Sequence, residues 1–399
     1  MRAVVTGLLA TFPVGGVFYD YVQYAVGLER LGFEVWYLED TNTPLFDLDD
    51  RDYDYNGRWD AAADRLRRRL AGISPTLAER WHLRGYDGTE RGIPSAEMTE
   101  IVVDADVLMN VSGVGVLREE YLPNRHKVFV DTDPGWNHFM RFPLADRRPD
   151  AVDGGYRAHD HHFTYAERIG RADCAIPDLD LSWHPTRPPV VTDLWQPAPT
   201  PPLDAPWTTV LSWDNVPAGA GGGEQLSIVD SDRRYGTKEI EFIRVEDLPD
   251  RVDVTLEIAA GGAHPPVDRW RALGWSVVDS IEISRTPEAY RAYLIGSRGE
   301  FSVAKNVYVD TRSGWFSCRS LCYLAAGRPV VVQDTGFSDH IPTGEGILAF
   351  TDAAGAVTAL ADAERRYDDH ASAAADIART HFDAETVIGD LLDRTGVNG

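Results

Sequence analysis

The segment Ser313-Gly314-Trp315-Phe316-Ser317-Cys318-Arg319-Ser320-Leu321-Cys322-Tyr323-Leu324-Ala325-Ala326-Gly327-Arg328-Pro329-Val330-Val331-Val332-Gln333-Asp334-Thr335-Gly336 concentrates residue types that bind an anion. Its pattern reads as a helix over 317–326, a glycine cap at Gly327 and a strand over 329–333. Ser317 stands where it can cap that helix, leaving first-turn N–H groups to face an anion, with Arg319 and Ser320 adding donors. A diphosphate suits such an end. Arg298 and Lys305 precede the segment, and Lys238 lies in Tyr235-Gly236-Thr237-Lys238. A guanidinium offers bidentate phosphate geometry and an ammonium a point charge, so these cations are candidate diphosphate partners, with plain surface charge as the competing role. Lys238 follows a glycine-rich stretch, 218–223, of the kind that closes over a ligand or simply forms a surface loop.

A second set of residues is suited to proton transfer. Asp131 and Asp133 flank Thr132 at the end of a strand predicted over 127–131, and their spacing puts both on one face for as long as strand geometry lasts. Asp133, beyond the strand, is the first choice for a general base, and Asp131 is better suited to holding the fold. Asp20, in the first turns of a helix after Gly15-Gly16, is the second choice. With 63 acidic residues in the chain, a capping or solvated role competes for each. The run His159-Asp160-His161-His162 is extended, so its imidazoles point to opposite faces, and no Cys or second His pair at ligand spacing completes a metal site. His162 is the one placed for a catalytic or acceptor-side role, with local hydrogen bonding as the alternative. Cys318 and Cys322, spaced C-x3-C on a helix, read with Cys174 as reduced core thiols.

The elements that must position these groups alternate strand and helix. Residues 2–7 read as a strand, 8–16 as a loop ending in Gly15-Gly16, 17–31 as a helix with apolar positions at three- and four-residue steps, Gly32 as its cap and 33–38 as a strand. Residues 41–91 are polar and read as helices and surface loops before strands over 101–110 and 127–131. Prolines at 185, 188, 189, 197, 199, 201, 202 and 206 mark a linker. Beyond it, strands over 252–259, 275–278, 306–310 and 329–333 alternate with helices near 270–273, 288–295 and 317–326, and two alanine-rich helical patterns, 353–367 and 370–392, finish the chain. Alternation on both sides of a proline-rich hinge predicts two α/β domains.

At 399 residues the chain is long enough for two large cores, and 43% hydrophobic with 26% charged residues is a globular composition. A net charge of −24 excludes a nucleic-acid polymer or an anionic membrane as the expected partner, while leaving room for a nucleotide in a locally basic cleft. No apolar run approaches the ~20 residues that span a bilayer, and the N-terminus enters a strand pattern directly, so a cytoplasmic location is expected.

The segment from Gly314 to Gly336 resembles the donor-binding region of GT-B glycosyltransferases, with a glycine-aromatic loop, a small helix, Ala326-Gly327-Arg328-Pro329-Val330-Val331 and a glycine loop at Thr335-Gly336. The similarity is good over about 274–360 and coarse elsewhere, where the Gly15-Gly16 loop and its helix match. It implies a GT-B fold of two Rossmann-like domains across a cleft. Residues 1–195 would hold the acceptor, 196–206 the linker, 207–375 the nucleotide sugar, and 376–399 a helix returning to the first domain. It places Phe316 and Ser317 beside the phosphates and Thr335-Gly336 over the sugar. Many retaining members carry two glutamates with seven residues between them, and the matching positions here are Gly314 and Cys322. That departure points to inversion with an aspartate base. The implied reaction moves a hexose, glucose first, from a UDP or dTDP sugar to a small hydroxyl acceptor such as a natural product or nucleoside, with no metal or further cofactor. The arginine excess and Ala/Gly/Pro richness suit an actinobacterial source. A nucleotide-sugar epimerase or hydrolase and a non-catalytic sugar-nucleotide binder are the alternatives. A nicotinamide dehydrogenase would place Gly15-Gly16 and Glu39 similarly, but the G-x-G-x-x-G fingerprint is absent.

Overall fold

A computed structural model describes residues 1–147, 155–196, 198–213, 228–230, 233–262 and 264–397. The glycine-rich stretch 218–223 lies outside them. The first half is built on β1 (Arg2–Thr6), β2 (Glu34–Asp40), a hairpin of β3 (Leu45–Asp47) and β4 (Asp52–Asp54), then β5 (Trp81–Arg84), β6 (Glu90–Gly92), β7 (Val107–Val111), β8 (Lys127–Asp131), β9 (His161–Thr164) and β10 (Trp183–Pro185). The second half contributes β11 (Trp207–Ser212), the short pair β12 (Ile228–Asp230) and β13 (Arg233–Tyr235), then β14 (Leu256–Gly261), β15 (Ser276–Asp279), β16 (Gly299–Ser302), β17 (Val330–Gln333) and β18 (Ile347–Phe350).

Two large sheets result. The first runs β10-β9-β8-β7-β1-β2-β5-β6 and is parallel except for β6, and the second runs β15-β14-β11-β16-β17-β18 and is parallel throughout. Counting from the first strand of each, both contain the doubly wound order 3-2-1-4-5-6, which opens a crevice at the carboxyl ends of the strands where the winding reverses. Alternating residues of β1 enter different cores, Ala3 and Val5 on one face and Val4 on the other, so the strand is apolar on both sides. The final helix, Ala384–Thr395, packs against the Gly15–Arg30 helix of the first half so tightly that a Cβ on Gly27 would lie 2.5 Å from Ile388 Cδ1.

Four segments differ from their sequence reading. Asn306–Asp310 is one helical turn rather than a strand. Val307, Tyr308 and Val309 favour strands by propensity, but Asn306 Nδ2 donates to Glu241 at 2.7 Å while its Oδ1 accepts from Gly236 N, and this tertiary clamp prevails. Residues 101–104 finish the helix Ser95–Asp104, so the strand starts only at Val107. Within 41–91, Trp81–Arg84 extends the sheet by pairing with β2, a register no local pattern announces. The last helical pattern is interrupted at Phe382, where Asp383 caps a new helix.

Candidate active site between the two halves

The amino end of the helix Cys318–Ala325 opens at the crevice of the second sheet. A cavity of about 20 Å³ lies there, lined among others by Ser302, Ala304, Phe316, Ser317, Arg319 and Ser320. Ser317 occupies the capping position with extended backbone, but its hydroxyl caps nothing. Among the described residues no acceptor meets the N–H groups of Cys318, Arg319 and Ser320, or the hydroxyls of Ser317 and Ser320. These are the orphan donors of a helix start, carrying its positive dipole end. Arg319 is fixed beside them, with Nε on Glu300 at 2.7 Å, Nη1 on Val210 O at 2.8 Å and Nη2 on Ser302 at 2.7 Å. It contributes charge at a set position. Lys238 is buried with no hydrogen-bond partner among the described residues, and burial, reinforced by Arg319, pulls its ammonium well below the usual lysine range.

The first half supplies the facing wall. Asp20, half-buried on the Gly15–Arg30 helix, accepts from the Cys318 thiol, and burial lifts its carboxyl from the ordinary 3.8 to about 6 against the opposing pull of that bond and of Arg319. The approach of this helix depends on Gly15, where a Cβ would lie 2.5 Å from Tyr290 Cβ and 2.6 Å from Thr286 O across the gap. A Cβ on Gly16 would lie 3.5 Å from the Tyr290 ring, an ordinary contact. The glycine pair thus works here as a contact between halves.

The remaining sequence candidates are dispersed. Asp131 is fully buried, accepts from Asn137 at 2.6 Å and Thr164 at 2.8 Å and lies 3.1 Å from His138 Nε2, a set that ties β8 to β9. Asp133 bridges the halves, accepting from Lys305 Nζ at 2.5 Å and from the Tyr308 hydroxyl, while Trp315 Nε1 donates to Thr132 O at 3.1 Å. His162 is buried in the first half, with Nε2 on Tyr156 O at 2.7 Å and its ring against Trp183, and burial lowers its pKa. Arg298 pairs with Glu364 at 2.9 Å and lies over the Tyr367 ring, away from the crevice. Thr335 donates to Trp315 O at 2.6 Å, and Gly336 packs on the side chain of Arg168 from the other half. Arg168 is the residue that sequence reasoning missed. It threads between Gly314 and Gly336, both at positive φ, and pairs with Asp339 beyond them. Asp173 is its one near partner, and no local motif signals the rest, because Gly314, Gly336 and Asp339 lie more than 140 residues away. Glu39 is consumed inside the first half, accepting from Ala10 N, Thr11 N and Tyr37 to hold the loop before Gly15.

The doubled strand order, the crevice between the halves and the returning C-terminal helix recur in solved structures. An α-glucosyltransferase in complex with UDP-glucose and DNA containing an abasic site superposes with a TM-score of 0.58 at 11% identity over 99% of each chain. The fold is GT-B. Sucrose-phosphate synthase from Thermosynechococcus elongatus aligns with a TM-score of 0.53 at 12% identity, and Anabaena HepE in complex with UDP and glucose with 0.50 at 11%, each over 99% of both chains. No protein-family model matches the sequence, and no curated protein matches it significantly. Within this GT-B chain neither Gly314 nor Cys322 carries a carboxylate, Glu300 of the same half is engaged by Arg319, and Asp20 brings a further carboxyl from across the gap. No described helix is long and apolar enough to cross a membrane, and no three metal-ligating side chains cluster among the described residues.

Proposed function

We propose that the chain is a glycosyltransferase that moves a hexose, glucose first, from a UDP or dTDP sugar to a hydroxyl of a small acceptor. The observation that carries this reading is Lys238, a buried amine with no hydrogen-bond partner among the described residues, beside the orphan donors of the Cys318–Ala325 helix. An uncompensated buried cation is costly, and a diphosphate at this point would satisfy the lysine, the Ser317 and Ser320 hydroxyls and the helix N–H groups together. GT-B neighbours solved with UDP-glucose or with UDP and glucose support the choice of donor.

Inversion with Asp20 as the base fits the groups present. Asp20 faces the diphosphate end from the opposite half, so a sugar between them presents C1 to an acceptor on the Asp20 side. Asp20 would take the acceptor proton as the oxygen bonds to C1, and the C1–O bond breaks with its electron pair leaving on the diphosphate, whose added charge Lys238 and the helix end stabilise. Asp133, engaged by Lys305 and Tyr308, is a clamp in this reading.

Mass-spectrometric screening of nucleotide sugars with hydroxyl acceptors should detect a glycosylated product, and NMR of its anomeric carbon should show inversion; retention would remove Asp20 from the role of base. Lys238→Gln should weaken UDP binding by roughly tenfold or more, the scale of a lost charge-assisted contact, without changing the circular dichroism. Unchanged UDP affinity in that variant would remove the donor site from this crevice.

A further inference from the structure

A much roomier cavity lies elsewhere in the gap. It measures about 520 Å³, within the ~300–1,000 Å³ of small-molecule sites, and shares no lining residue with the cavity at Ser317. Its walls come from both halves: Pro13, the β3–β4 hairpin and the helix Trp59–Ala71 on one side, residues 285–288 on the other. Five arginines line it in a chain of net charge −24. Two are neutralised, Arg58 by Asp47 and Asp54, and Arg285 by Asp49 at 2.6 Å and Glu282 at 2.8 Å.

The other three, Arg65, Arg68 and Arg69, make no ion pair among the described residues. Their i, i+3 and i+4 spacing puts them on one side of the helix Trp59–Ala71. Arg65 Nε and Arg69 Nη1 are buried without any hydrogen-bond partner. Their remaining bonds go to carbonyls, Arg65 to Ala10 O at 3.4 Å and Arg69 to Arg285 O at 3.1 Å, and among the described residues Glu39 and Glu288 offset their charge only at longer range, without an ion pair. Burial and the neighbouring Arg65 pull Arg69 down to about 10. Two half-buried guanidiniums held side by side with unused N–H groups constitute a demand for an oxyanion. Three positive charges match a dianion better than a monocarboxylate.

We propose that this cavity binds the phosphate group of a phosphorylated small molecule, gripped by Arg65 and Arg69 with Arg68 at the rim. Leu45, Phe46 and Leu48 give the body of the ligand an apolar wall, and the acidic side chains of the hairpin offer acceptors for its hydroxyls. The site goes beyond the donor crevice and does not depend on glycosyl transfer. Because both halves line it, an occupant also touches the seam across which Asp20 meets Cys318.

The test is isothermal titration of the full chain with inorganic phosphate and glucose 6-phosphate as probes, beside UDP and malonate. The wild type should bind both phosphate probes saturably in the presence of UDP. Arg65→Gln with Arg69→Gln should weaken that binding roughly tenfold or more while leaving UDP affinity within about twofold. Arg68→Gln, an exposed change that spares the fold, should weaken it by about threefold and decides the matter if the double variant fails to fold. Absence of saturable phosphate binding, equal affinity in the variants, or displacement by UDP overturns the site. Malonate binding as tightly as phosphate overturns its assignment to a phosphate group.

Discussion

Asp20 is a carboxyl whose burial works against its own charge, and that sets two opposite expectations. Its folded-state pKa is raised from 3.8 to about 6, so the folded chain holds this proton more tightly than the unfolded chain does. The corresponding stability is present below pH 3.8 and lost as pH rises through about 6, where the ionised group becomes a burden on the fold. Activity runs the other way, because a base must be ionised. Turnover should fall as pH drops below about 6. Asp20→Asn should lower kcat by ~10²–10⁴ and yet raise the melting temperature at pH 7.5 by roughly 2–4 °C, with no gain at pH 4. Undiminished kcat in this variant would exclude Asp20 as the base, whatever happens to the melting temperature.

Among the elements, the seam at Asp133 is the most closely fitted. The turn Pro134–Trp136 lies on the helical turn Asn306–Asp310, where Trp136 and Phe139 join Val307 and Tyr308 in one apolar cluster. Tyr308 stacks on Trp315 with ring centroids 4.4 Å apart. A Cβ on Gly135 would lie 2.5 Å from Val307 Cγ1, so Gly135→Val forces these two turns apart. That variant should lose about 1–3 kcal/mol of stability in urea titration, the cost of overpacking. Asp133→Asn should weaken the same seam while keeping kcat within about fivefold of wild type. A kcat loss of ~10² or more in Asp133→Asn would return the catalytic role to Asp133.

At the scale of the whole molecule the two halves are nearly shut over the donor crevice. A cavity of about 20 Å³ holds little more than a water, whereas ligand sites measure ~300–1,000 Å³, so the nucleotide sugar of the proposed reaction would enter only when the halves separate. The separation has to pull Asp20 from Cys318 and the Gly15 turn from Tyr290, while the Ala384–Thr395 helix, anchored on the first half, acts as a tether. UDP should therefore raise the radius of gyration measured by small-angle X-ray scattering. A lower value on binding would mean that the free protein in solution is already more open, and would sink this account of entry.

Sequence alone determined the local grammar. Periodic apolar positions and glycine caps at Gly32 and Gly327 marked the Gly15–Arg30 and Cys318–Ala325 helices, because caps and helix faces are set by neighbours three or four residues apart. The same short range explains why the helix start at Ser317 was legible, and why β5 and the turn at Asn306–Asp310 were not. Tertiary structure alone decided which acid looks into the gap. Asp20 meets Cys318 and Asp133 meets Lys305 across 298 and 172 residues of chain, and Arg168 finds Gly314 and Gly336 only when two sheets dock. Such contacts depend on where two complete cores come to rest against each other, and no run of neighbouring residues encodes that position.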